Sequence, residues 1–138
     1  MSRFKKQRAD HRADTRGGPL SGFPHVVADS LAYLSLGPFE RAVLAEILRR
    51  FNGYNNGQIA ITYEEIGNRL KGRNAGRPNN ARVARAVARL VGHGLLAEPQ
   101  PASWVERRSR EYRLTFISSG KGPLIQAATN EYLSWKPD

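Results

Sequence analysis

Apolar positions spaced three or four residues apart make a broad stripe from Phe39 to Arg50, which predicts a core helix. Pro38 stands at the first turn of this helix, where a missing N–H costs nothing. Asn52-Gly53 follows as a stop signal, because glycine adopts the left-handed conformation cheaply. A shorter helical turn through residues 31–34 is expected before the core helix, capped by Asp29 or Ser30.

A second helix is predicted to begin after Thr62. Thr62 and Glu65 have the spacing of a capping box, in which the hydroxyl and the carboxylate each accept a hydrogen bond from the other residue's backbone N–H. The helix is expected to run to about Leu70, with Tyr63 and Ile66 on its buried side. Glu64 and Glu65 are interpreted as capping residues rather than as a catalytic pair, because no nucleophile or metal-ligand cluster accompanies them.

The third helix combines an apolar stripe with a basic one. The apolar positions are Val83, Val87, Leu90 and Val91, and the basic positions are Arg82, Arg85 and Arg89. A turn through residues 72–78 connects the second helix to this one, and Asn79 or Asn80 is its natural N-cap. Two helices joined by a short turn, the second longer and basic, are typical of a helix-turn-helix.

Three short strands are predicted around these helices. Residues 58–61 form one strand, expected to add to a later hairpin made of residues 95–97 and 111–115, in which Tyr112 and Leu114 alternate with polar positions. A helix-turn-helix followed at once by a β-hairpin is the winged-helix arrangement. The predicted fold class is therefore α+β, a mainly helical winged helix-turn-helix with a small antiparallel sheet.

The expected domain organisation has three parts. Residues 1–25 form a basic arm, residues 26–117 the winged helix-turn-helix domain, and residues 118–138 a C-terminal extension. The arm carries too little apolar surface to offset the entropy of ordering it. In the extension a short helix is expected from about Ala128 to Trp135. We expect Tyr132 and Trp135 to pack on the domain, and they are also the one candidate surface for a homodimer.

The positive charge of the chain is clustered. The net charge is +10; residues 1–16 hold six Lys/Arg against two Asp, and residues 71–91 hold six Lys/Arg and no acidic residue. Clusters of this kind are the electrostatic signature of a protein that binds a phosphate backbone. The alternative is an ordinary solvated face on a surface helix.

Other chemistry finds little support in the sequence. The chain has no cysteine, and its three histidines, His11, His25 and His93, have no evident metal-ligand partners. His93 is instead expected to cap the end of the third helix. No serine or threonine stands in a recognisable nucleophile motif, and no apolar run reaches the ~20 residues of a membrane span. We therefore expect no enzyme, cofactor, metal, small-molecule ligand or membrane contact, and a cytoplasmic, nucleoid-associated protein.

Four segments together resemble a known family. They are RRFNGYNNGQIAITYEEIGNRL, NNARVARAVARLVGHGLL, REYRLT and ATNEYLSW. They resemble small winged helix-turn-helix proteins of proteobacteria and of their phages and plasmids, which are similar to the DNA-binding domains of replication initiators. The similarity covers about three quarters of the chain, from Ser30 to Trp135, and NGYNNGQI is its most distinctive part. The resemblance implies double-stranded DNA binding through the second helix of the motif, although the loop GRNAGRPNN is longer and more basic than is usual in the family.

The functional hypothesis is a double-stranded DNA-binding protein whose recognition helix, about Asn80 to Val91, lies in the major groove. Base contacts are expected from Asn79, Asn80, Arg82 and Arg85. Phosphate contacts are expected from Lys71, Arg73, Arg77 and Arg89. The wing is expected to contribute Arg107, Arg108 and Arg110, and the arm Arg3, Lys5, Lys6 and Arg8.

Several alternatives stay open at this point. A transcriptional regulator and a factor for replication or maintenance of a mobile element would share these features. A homodimer is possible. In a different class, the same fold could be an adaptor that binds a protein partner or structured RNA through its basic surface.

Overall fold

The computed structural model describes residues 13–73, 76–100, 110–120 and 122–138. These residues contain five α-helices and a three-stranded antiparallel sheet. The fold class is therefore α+β, as predicted. The helices are α1 (His25–Ala28), α2 (Leu31–Leu34), α3 (Pro38–Arg50), α4 (Tyr63–Leu70) and α5 (Asn80–Gly92). The strands are β1 (Ile59–Ala60), β2 (Leu96–Gln100) and β3 (Glu111–Leu114), and two 3-10 turns follow at Gly122–Leu124 and Glu131–Ser134.

Local signals set the limits of the main helices as the sequence predicts. Ser30 caps α2, because its hydroxyl accepts a hydrogen bond from the N–H of Tyr33 at 3.2 Å. Pro38 is the first residue of α3. Thr62 and Glu65 form the expected capping box at the start of α4.

Helices α3, α4 and α5 contact one another and enclose the core against one face of the sheet. Val43, Leu44 and Ile47 of α3 are fully buried, and so are Ile66 of α4 and Leu90 of α5. Burying side chains of this size stabilises a fold by about 1.5–3 kcal/mol each. Helix α5 also contacts β2, so the basic helix is held on one side by helices and on another by the sheet.

The sheet has the order β1-β3-β2, which confirms that the early strand adds to the later hairpin. Ile59 pairs with Tyr112, and Leu96 pairs with Leu114. Strand β1 comprises two residues and is shorter than the predicted 58–61. On β3, Tyr112 and Leu114 are buried while their neighbours are half-buried, as the alternating pattern indicates.

Asn56 ties the loop before β1 to the far end of β3. Its side-chain oxygen accepts the N–H of Leu114 at 2.7 Å, and its amide group donates to the carbonyls of Leu114 at 2.9 Å and Ile117 at 2.8 Å. The side chain is buried, and a buried amide stabilises a structure when its donors and acceptor are satisfied. This anchoring is a finding of the structure, because Leu114 and Ile117 lie far from Asn56 along the chain.

The C-terminal segment differs from the predicted helix over residues 128–135. The structure has a single 3-10 turn, Glu131–Ser134, because Asn130 before it adopts a left-handed backbone conformation with a φ of 55° and its N–H donates to the carbonyl of Thr115 at 2.9 Å. Tyr132 is buried, and Trp135 stacks on His93 with ring centroids 4.2 Å apart. The expectation that both aromatics pack on the domain is confirmed, and a homodimer stays a prediction.

In the part of the chain that is described, no helix combines the length and the apolar character that a membrane crossing requires.

Candidate nucleic-acid interface

The start of α5 is fixed by Asn79. Its side-chain oxygen accepts the N–H of Arg82 at 2.8 Å, so Asn79 rather than Asn80 is the N-cap. Both asparagines are exposed. Capping leaves Asn79 with two N–H donors and one further lone pair on its oxygen. The two predicted base-contact asparagines therefore stand side by side at the exposed end of the helix.

This end of α5 carries no compensating negative charge. The free N–H groups at a helix N-terminus act like about half a positive charge. The first turn of α5 contains no acidic residue to balance it. Arg82 and Arg85 follow within the first two turns and add to that field. The N-terminal half of α5 is therefore a place where an anion is favoured.

Arg85 lies near the middle of the side of α5 that faces away from the core. The buried stripe of the helix is formed by Val83, Ala86, Val87 and Leu90. At about 100° per residue, the opposite side is centred between Ala81, Arg85 and Ala88, and all three are exposed. The two alanines on either side of Arg85 allow another surface to approach the helix backbone closely. Within the described residues Arg85 takes part in no ion pair.

The other two arginines of α5 lean towards the beginning of α3. The guanidinium carbon of Arg82 lies 4.0 Å from the ring centroid of Phe39, which is a cation–π contact. The Nε of Arg89 lies 3.3 Å from a carboxylate oxygen of Glu40. An open groove of about 370 Å³ lies along the contact between α3 and α5, and it is lined by Phe39, Glu40, Arg82, Arg85, Ala86 and Arg89.

Stacking leaves Arg82 able to bind a ligand. The contact with Phe39 occupies the flat face of the guanidinium, whereas the N–H groups point outwards in its plane. A stacked guanidinium also has fewer orientations to lose when it binds. Arg82 is thus positioned in advance, a feature that the spacing of the three arginines could not reveal.

Glu40 belongs to this groove, and sequence reasoning did not select it. Its Oε1 accepts the N–H of Gly37 at 3.0 Å, at the start of α3, and the same oxygen faces Arg89. Its position, three residues after Gly37 at the start of a predicted helix, is a signal for the first contact. No local pattern indicates the second, because Arg89 belongs to a distant helix.

The predicted phosphate contacts before α5 differ in how they are held. Lys71 and Arg73 are exposed. The Nη1 of Arg77 lies 3.9 Å from a carboxylate oxygen of Glu64, and its aliphatic carbons cover Gly67 of α4. A Cβ on Gly67 would lie 3.0 Å from the carbonyl oxygen of Pro78, so glycine allows the loop to approach α4 closely. Arg77 is therefore part of the packing between α4 and the loop as well as a surface cation.

Of the predicted wing residues, Arg110 lies within the described part of the chain. Its Nε is 3.0 Å from a carboxylate oxygen of Glu98, and its guanidinium carbon lies 4.5 Å from the ring centroid of Tyr63. These contacts join the base of the hairpin to α4. Arg107 and Arg108 of the wing and the arm residues Arg3, Lys5, Lys6 and Arg8 lie outside the described residues.

Tyr112, two residues after Arg110, is a core residue. Burial, with smaller contributions from Tyr63 and Glu98, raises the pKa of Tyr112 well above its ordinary range. The side chain is fully buried. In the ranges that the structure covers, no group of three or more His, Asp or Glu side chains is placed to hold a metal ion.

His93 closes α5 at its other end. Its Nδ1 lies 2.9 Å from the carbonyl oxygen of Arg89, which confirms the predicted capping role. Trp135 covers the imidazole ring by stacking on it. The C-terminal segment therefore supports the end of the same helix whose beginning is open and positive.

Comparison of the chain with protein-family models, with curated proteins and with solved structures gives no match. The family resemblance noted from the sequence stays a prediction. What can be said of function rests on the residues of this chain and their arrangement.

Proposed function

We propose that this chain is a double-stranded DNA-binding protein of winged-helix type, with α5 as the recognition helix in the major groove. The element order α3, β1, α4, α5, β2, β3 and the sheet order β1-β3-β2 are consistent with that fold. The observation that carries the proposal is the outer face of α5. It presents a helix N-terminus without acidic residues and an exposed Arg85 between two small residues.

This face suits the major groove. The groove admits an α-helix, and its base edges are read by side chains near the start of that helix. Arg85 is suited to guanine, whose O6 and N7 accept hydrogen bonds from two N–H groups of one guanidinium, and Asn80 is suited to adenine. Ala81 and Ala88 let the helix enter deeply enough for these contacts.

Cations around this face supply contacts with the DNA backbone. Arg82, which the sequence predicts as a base contact, leans with Arg89 towards α3, so we assign it to the backbone instead. The exposed Lys71 and Arg73 lie in the loop that precedes the helix. Contacts with phosphates position a protein on a duplex without reading its sequence. Transcription regulation and replication or maintenance of a mobile element are both roles that such a protein can serve.

The test begins with selection of bound sequences from a random duplex pool, followed by affinity measurements on the selected site. Replacing Arg85 with alanine is expected to weaken binding to that site by about 1–3 kcal/mol, or roughly 5- to 150-fold. The stability of the fold should change by less than about 0.5 kcal/mol, since Arg85 is exposed and outside the core.

Arg49→Ala is the matched control. Arg49 is an exposed arginine on α3, so its removal changes the net charge equally without touching the outer face of α5. A reduction common to both variants, or wild-type affinity in Arg85→Ala, would show that α5 does not read the site in this orientation. Failure to select any duplex, together with recovery of a stoichiometric protein or RNA partner, would favour the adaptor instead.

A further inference from the structure

The groove between α3 and α5 contains one carboxylate among three guanidinium groups. Of its lining residues, Arg82, Arg85 and Arg89 are cationic and Glu40 alone is anionic. The side chain of Glu40 is 18% exposed, whereas that of Arg89 is 54% exposed. The carboxylate thus lies deeper than the arginine it pairs with, and Arg89 remains open to solvent on its outer side.

Glu40 is held in this place from its own helix. The bond from the Gly37 N–H fixes the carboxylate at the first turn of α3, so its position does not depend on Arg89. A carboxylate and a phosphodiester oxygen are alternative acceptors for the same guanidinium N–H groups. Arg89 therefore already has, within the protein, the kind of partner that a DNA backbone would offer it.

We infer that this groove is a subsite for a backbone phosphate of duplex DNA, and that Glu40 is an internal competitor for it at Arg89. This inference rests on the proposed DNA binding. Arg82 and Arg89 are the cations that would hold the phosphate, while Arg85, which also lines the groove, is the residue proposed to contact a base. Because Glu40 neutralises Arg89, a duplex that binds through its backbone alone gains less from the groove than Arg82 and Arg89 would otherwise supply.

The predicted phosphate contact of Arg89 depends on Glu40. A phosphate contact by Arg89 requires exchange of Glu40 for the phosphate, or sharing of the guanidinium between them. Non-specific binding comes almost entirely from phosphate contacts. Glu40 thus lowers the affinity of the protein for DNA of arbitrary sequence. Replacing Glu40 should therefore have its clearest effect on the affinity for a random-sequence duplex.

Glu40→Gln is the appropriate variant. The glutamine oxygen can still accept the Gly37 N–H, since Glu and Gln both serve at this position of a capping box, and only the charge is lost. We expect affinity for a random-sequence duplex to rise about five- to tenfold at about 0.1 M salt, with log K falling more steeply against log salt by about 0.9, as for one added phosphate contact.

Glu46→Gln is the matched control. Glu46 also lies on α3, its side chain is 16% exposed, and it pairs with Arg69 of α4 at 2.8 Å, outside the groove. The net charge changes equally in both variants, so a local effect separates them from a general one. For Glu46→Gln we expect less than about a twofold rise and an unchanged salt slope. Thermal unfolding of both variants establishes that the fold is retained.

A double variant tests the route of the effect. If Glu40 acts through Arg89, the gain of Glu40→Gln should disappear when Arg89→Ala is added. Equal behaviour of Glu40→Gln and Glu46→Gln, or a gain that persists without Arg89, would overturn the inference while wild-type binding to duplex still upheld the proposed function. Absence of duplex binding by the wild-type protein would overturn both.

Discussion

The first turns of α4 and α5 perform the same structural task with opposite charge. In α4 the Thr62 hydroxyl accepts the N–H of Glu65 at 3.0 Å, and in α5 the Asn79 side chain accepts the N–H of Arg82 at 2.8 Å. Each cap satisfies one of the free N–H groups at the beginning of a helix. The third residue after the cap is an acid in one helix and a base in the other.

The difference lies in how the positive helix end is compensated. Glu64 and Glu65 compensate the positive end of α4, and Glu65 also binds Arg50 of α3. The positive end of α5 is left without an acid, although acidic residues there are stabilising by about 0.3–1 kcal/mol each. A chain that uses this device in one helix and omits it in the next keeps the second end available for an anion.

Loss of the α4 cap is expected to have the largest effect on stability. Thr62→Ala removes the hydroxyl bond and should lower the free energy of unfolding by about 0.5–2 kcal/mol, measured by chemical denaturation. Thr62→Ser keeps the hydroxyl and should retain most of that stability. DNA affinity should be unchanged in folded Thr62→Ala, because α4 contributes no residue to the outer face of α5. A loss of affinity without a loss of stability would contradict this division of roles.

Giving α5 the kind of start that α4 has should move stability and binding in opposite directions. Asn79→Asp retains a capping oxygen and adds a negative charge at the helix N-terminus, which should raise the free energy of unfolding by about 0.3–1 kcal/mol. Affinity for the selected duplex should fall, since in the proposed orientation the new carboxylate would face the DNA. Both quantities can be measured on one preparation by thermal unfolding and by titration with duplex. A variant that binds as well as the wild type would place the DNA elsewhere.

Much of the fold could be predicted because its signals are local. Capping residues, prolines and apolar stripes act within one or two turns, so Ser30, Pro38, Thr62 and Asn79 mark where their helices begin. The alternation on β3 likewise needs no knowledge of its neighbours. Helix α1 was not predicted separately, since four residues after Pro24 are too short to show a period.

The groove could not be predicted, because its contacts join residues far apart in the chain. Nothing in the spacing of the arginines indicates that Arg82 stacks on Phe39 or that Arg89 pairs with Glu40. The position of Arg110 at the base of the hairpin is equally unpredictable, because its guanidinium lies over the ring of Tyr63, which belongs to a distant helix. By charge alone these arginines are equivalent. In the structure Arg85 is exposed on the outer face of α5, whereas the other three contact side chains of the protein, namely Arg82, Arg89 and Arg110.

The smallest expected effect is a dependence of the stability of the fold on pH, which arises from Glu65 at the start of α4. The hydrogen bond from Arg50, followed by the bond from the Thr62 backbone N–H, lowers the pKa of Glu65 below its ordinary value of 4.5. The ionised carboxylate therefore stabilises the fold above that value, and the contribution is lost as the pH falls through the lowered pKa. The effect should be small, because the two side chains are 41% and 44% exposed and exposed ion pairs contribute little.

Unfolding measured between about pH 7 and pH 3 should accordingly show a shallower loss of stability in Glu65→Gln than in the wild type. Arg50→Gln removes the main cause of the shift and should flatten the profile in a similar way. Some acid sensitivity should persist in both variants, because the pKa of Glu131 is lowered as well. Burial raises that pKa, but hydrogen bonds from Thr129, from the backbone N–H of Glu131 and from Arg113, together with the charge of Arg113, lower it by more. If Glu65→Gln keeps the full wild-type pH dependence, the negative start of α4 does not contribute to stability, and the contrast with α5 loses its thermodynamic basis.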